Sequence, residues 1–163
     1  MVEEVVASPS REVATGIESR GRRLLWHGML LFILGLVTGL IAGRLHNPRM
    51  GLAAHLEGLM NGTFLLALGS AWRLARLGPR TSRVAFGTVL YGAYANWVCT
   101  TFAAVAGTAA MTPLASAGFL GRPWQELLVT IGFATVALSM LCAAGLLLWG
   151  FRAGAVGRNA AGQ

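Results

Sequence analysis

LLWHGMLLFILGLVTGLIAG, residues 24–43, decides the fold. It holds no charged side chain, and it reaches the roughly 20 residues that an α-helix needs to cross a hydrocarbon core. Three more apolar runs follow, at about 52–72, 84–106 and 127–150. The chain of 163 residues is 55% hydrophobic and 12% charged, against about 25% charged in an ordinary soluble domain. With a mean hydropathy of +0.63, it lacks the polar surface to cover a water-soluble core. These features predict an all-α integral membrane protein, a bundle of four transmembrane helices.

Arginine sets the expected orientation. All 13 basic residues are arginine, and all six acids are glutamate. Arg11, Arg20, Arg22 and Arg23 precede the first run, Arg73, Arg76, Arg80 and Arg83 lie between the second and third, and Arg152 and Arg158 follow the fourth. The opposite side receives Arg44, Arg49 and Arg122. By the positive-inside bias both termini lie in the cytoplasm. The expected organisation is a cytoplasmic arm at 1–23, a transmembrane domain at 24–152 and a cytoplasmic tail at 153–163. The first run reads as a retained helix and not a cleaved signal, being too long and lacking a small-residue cleavage site. A net charge of +7 raises nucleic acid as a partner, but no basic stripe alternates with exposed aromatics, so no nucleic acid is expected. Cys99 and Cys142 fall in separate apolar runs without metal-ligand spacing and read as packed thiols.

Within lipid, helices approach closely through small residues. Gly35, Gly39 and Gly43 in the first run, Gly58, Gly62 and Gly69 in the second, and Gly87 and Gly92 in the third are expected to pack helices. The first connection reads as a short turn over 46–51. The segment 107–126 is the longest loop, long enough to cover an outward-facing cavity.

Ionisable and amide side chains inside a span are costly and point to function. His55, Glu57 and Asn61 lie in the second run, Tyr91, Tyr94 and Asn96 in the third, and His27 near the cytoplasmic start of the first. A rise of about 1.5 Å per residue sets Asn61 about 14 Å and Asn96 about 12 Å below the outer face, at one level, with the tyrosines deeper. Glu57 and Asn61, four apart, share a helix face, whereas His55 and Asn61 are about 120° apart. The bland readings are a rim pair of Glu57 with Arg49 or Arg122 and an interhelical hydrogen bond between the asparagines. His27 and His55 lie in opposite leaflets, which excludes a bis-histidine haem within one subunit. A single histidine with an open position on iron suits Lewis-acid chemistry. No nucleophile elbow, zinc-helix motif or phosphate loop occurs.

AHLEGLMNG at 54–62, LYGAYANW at 90–97 and LLLWGFR at 146–152 resemble the hydroxylaminobenzene mutases, small bacterial membrane enzymes. The chain also resembles, more distantly, styrene oxide isomerase, a trimeric four-helix enzyme with haem b between its subunits. There a haem-ligating histidine lies six residues before an active-site asparagine and glycine, the spacing of His55, Asn61 and Gly62, and an alanine-asparagine pair looks like Ala95 and Asn96. Where that family has an acid and a tyrosine around the pair, this sequence has Gly92 and Thr100. The resemblance implies an isomerase of the bacterial cytoplasmic (inner) membrane, a homo-oligomer such as a trimer, acting on a small aromatic substrate. That substrate would be an arylhydroxylamine, converted to an ortho-aminophenol. It implies haem b on His55 as Lewis acid, Asn61 orienting the hydroxyl, Asn96 as a further active-site residue, and Tyr91 or Tyr94 as donor; burial of Glu57 makes it the alternative acid. The rival readings are a proton-coupled transporter working through Glu57 and a non-catalytic membrane subunit.

Overall fold

The structure is a computed structural model that describes residues 9–159, with side chains over 16–152. The expectations for 1–8 and 160–163, and for the side chains of Arg11 and Arg158, lie outside that range. Helix α1 spans Pro9–Ile41, α2 Pro48–Ala71, α3 Pro79–Ala106, the short α4 Pro113–Ser116 and α5 Pro123–Asn159. Single 3-10 turns follow α1 and α2. Three helical stretches, Gly16–Arg44, Pro79–Ala106 and Pro123–Arg152, are long and apolar enough to cross a membrane. Helix α2 is 24 residues long, enough for about 36 Å, but His55, Glu57 and Asn61 dilute its apolar character.

Helices α2, α3 and α5 start before their apolar runs, each at a proline. Proline suits the first turn because its missing N–H has no intrahelical acceptor there in any case. Pro48 to Gly51, expected in a turn, thus already belong to α2. Its start is fixed by Asn47, whose side-chain oxygen accepts the Met50 N–H at 3.1 Å. The Asn47 amide donates to the Ala115 and Ser116 carbonyls, both at 3.0 Å, so this buried cap also anchors the 107–122 loop. That loop packs onto the start of α2. Glu126 in the first turn of α5 holds it from the other side, accepting N–H groups from Ala109, Ala110 and Gly121.

The α1–α2 seam is made by backbone approach. A Cβ added at Gly28, Gly35, Gly58 or Gly62 would collide with main-chain atoms of the facing helix. Gly69 packs in the same way on Gly21. Gly43 and Gly87 face open space, against the packing expected of them. Helix α3 lies across α2, and α5 leans on α3 and on the turn after α2, without packing its backbone on α1 or α2. Leu138, Leu141, Leu148 and Trp149 of α5 are exposed. A groove of about 790 Å³ therefore runs between α2 and α5.

Candidate active site

Glu57 projects from α2 toward α3, where its Oε2 accepts two amide hydrogens. One comes from Asn61 Nδ2 at 3.1 Å and the other from Asn96 Nδ2. Asn61 lies one turn further along the face that carries Glu57, and Asn96 reaches across from α3. The asparagines therefore do not bond one another. They meet on a carboxylate oxygen, and the expected rim pair of Glu57 with Arg49 or Arg122 does not form. Asn61 is buried and the other two are half-buried. The Asn96 carbonyl accepts the Thr100 hydroxyl at 2.8 Å.

His55 faces the other way. Two positions on a helix turn a side chain by about 200°, which aims His55 at α1. There its Nδ1 lies 2.8 Å from the Gly35 carbonyl, and the bare Gly39 leaves room for the ring. A carbonyl only accepts, so Nδ1 carries the proton and Nε2 keeps its lone pair. This is the arrangement of a metal-ligating histidine, whose second nitrogen donates to a backbone carbonyl. His55 is thus the residue that would hold a haem iron, through its Nε2 lone pair. Among the described residues no three histidine, cysteine or acidic side chains gather to hold a bare metal ion.

The tyrosines stand apart from the carboxylate. The Tyr91 hydroxyl pairs with Thr135 of α5 at 2.7 Å. Tyr94 turns to α1, with its hydroxyl 3.1 Å from His27 Nδ1 while donating to the His27 carbonyl at 3.3 Å. Trp97 donates to Thr38 at 3.2 Å, and Gly92 lies under Met140. The sequence reading missed Thr135, Thr38 and Gly35 as partners. Of these only Gly35 left a signal, its glycine spacing.

An all-helical, membrane-type chain with an amide-clamped carboxylate between two apolar helices and a carbonyl-oriented histidine on the back of one defines a polytopic membrane protein with an internal polar site. The styrene oxide isomerase family profile matches residues 20–152. The chain is 45% identical to the hydroxylaminobenzene mutase HabB of Ectopseudomonas oleovorans, covering 85% of each chain. It is 38% identical to HabA of the same organism, over 76% of this chain and 92% of that one. No solved structure matches. The chain belongs to the styrene oxide isomerase family and is an isomerase.

Proposed function

We propose that this protein isomerises an arylhydroxylamine to an ortho-aminophenol. The observation that carries the reading is the Glu57 carboxylate, clamped by Asn61 and Asn96 between apolar helices, in a relative of two hydroxylaminobenzene mutases. Substrate and product have the same atoms, so no oxidant is needed. The nitrogen-oxygen bond breaks heterolytically, a carbon-oxygen bond forms at the ortho carbon, that carbon loses a proton and nitrogen gains one. Such a reaction needs orientation, a proton carrier and little water.

Each asparagine gives one N–H to Glu57 and keeps a second N–H and a carbonyl oxygen, which orient the hydroxylamino group. Both amides fall on Oε2. Oε1 is left to take the proton from the ring carbon and return it to nitrogen. Haem on His55 would supply a Lewis-acidic position for the departing hydroxyl; in a haem-free protein Glu57 is the acid. Tyr91 and Tyr94 take a supporting place, since Thr135 and His27 already engage their hydroxyls. Trp97 offers its ring to a cationic arene.

In this reading α2 also crosses the bilayer and both termini are cytoplasmic, as the arginines favour, in the bacterial inner membrane. His55 and the carboxylate point to different sides of α2, so both can serve one substrate only across a subunit boundary. That supports a homo-oligomer, a trimer by family resemblance.

The test is the absorption spectrum of detergent-purified wild type and His55→Ala, with phenylhydroxylamine turnover followed as 2-aminophenol. The expected result is a Soret band that His55→Ala abolishes and the substrate shifts. Colourless protein that still makes 2-aminophenol removes haem and leaves Glu57 as acid; colourless protein inactive on phenylhydroxylamine removes the arylhydroxylamine reading. Glu57→Gln should lower kcat by about 10²–10³-fold, within the range for a proton-transfer residue, without changing the Soret band.

A further inference from the structure

Glu57, Asn61, Phe64 and Leu68 are spaced by four, three and four residues, and such steps place them in one stripe along α2. The upper half of this stripe is the polar site. The lower half, Phe64 and Leu68, is one wall of the α2–α5 groove. Phe64 lies about 4.5 Å along the axis from Asn61. The register of α3 against α5 gives the same level independently. Met140 lies over Gly92, which is four residues, or about 6 Å, from Asn96. Both walls of the groove thus begin about one turn from the two amides that clamp the carboxylate, and Phe64 lies about 10 Å along the axis from Glu57 itself. The groove continues along α5 from Ala137 to Phe151, about 21 Å. Its far end is tied where the Arg76 N–H donates to the Gly150 carbonyl at 3.1 Å.

Every lining side chain is apolar. No group there can satisfy a charged or hydrogen-bonding substituent, and an unpaired polar group away from water is costly. The volume is also larger than one ring requires, since a cavity of about 150 Å³ accepts benzene. We propose that the groove is the ring channel of the site and selects neutral arylhydroxylamines with an extended apolar substituent para to nitrogen. With the hydroxylamino group at Glu57 and the ring beside Phe64 and Met140, the carbon-nitrogen axis continues down the groove. The para position leads into its empty length. Between helices in lipid the hydrophobic drive is small, so the groove discriminates by shape and by rejecting polarity.

This inference rests on the isomerase reading. The test compares kcat/KM for phenylhydroxylamine, 4-butylphenylhydroxylamine and 4-hydroxylaminobenzoate in full-length protein in lipid nanodiscs. Wild type should use the butyl compound at least as well as the parent and reject the benzoate. Ala144→Trp, which fills the groove, should lower the butyl-to-parent ratio about tenfold or more, as pocket blocking does. Leu141→Ala, which widens it, should move the ratio the other way and keeps the test open if the tryptophan variant does not assemble. Leu138→Trp, on an exposed part of α5 outside the groove, should leave the ratio unchanged. An active wild type whose ratio neither groove variant moves would overturn the channel and leave the isomerase standing, as expected if a lipid chain or a second copy fills the groove. A wild type inert to all three compounds overturns both.

Discussion

The two sides of α2 are built on opposite rules. Toward α1, glycines bring main chains into contact and leave room only for the His55 ring beside Gly39. Toward α5, leucine, alanine and methionine side chains stand apart around a groove of about 790 Å³. The first side positions His55, whose proton is fixed by a backbone carbonyl that cannot move without moving α1. The second leaves a groove that begins about one turn beyond Asn61. One helix thus serves as fixed frame on one face and as chamber wall on the other.

The same small change, glycine to alanine, separates these rules. At Gly35 the new methyl would strike the Gly58 and Leu59 main chain. Gly35→Ala should therefore destabilise by about 3 kcal/mol, at the upper end of overpacking costs, seen as a drop in the thermal midpoint in detergent and a weakened Soret band. At Gly92 the methyl meets the Met140 side chain, whose flexible thioether can swing aside. Gly92→Ala should cost about 1 kcal/mol or less, with unfolding little changed. At Gly43 nothing lies within 4 Å, so Gly43→Ala should be neutral or stabilise by up to about 0.5 kcal/mol through the unfolded chain. Equal effects at Gly35 and Gly92 would erase the distinction between the glycine seam of α1 and α2 and the side-chain packing of α3 on α5. A larger effect at Gly43 than at Gly92 would reverse it.

The long helices and three of the four expected spans were legible from residue type, because length and absence of charge suffice for them. Their starts were not, since Pro48, Pro79 and Pro123 lie outside the apolar runs that mark the spans. The site was half legible. The spacing of Glu57 and Asn61 placed them on one face, and counting residues brought Asn96 to their level. That all three meet on one carboxylate oxygen depends on how α2 is rotated against α3, which the glycine seam with α1 controls and no local pattern records. The tyrosines show the same limit. Tyr91 and Tyr94 lie three apart, yet one turns to Thr135 and the other to His27, because different helices flank α3. The loop anchors Asn47 and Glu126 escaped notice because their partners are main-chain groups.

Glu126 also imposes an order in time. The loop it organises, from Ala109 to Gly121, precedes it in the chain, and the N–H groups of that loop have their acceptor only once the start of α5 has left the ribosome. The same helix supplies the second wall of the groove. Until α5 is inserted the nascent protein has its clamped carboxylate but only one wall of the groove, so the groove forms later than the clamp.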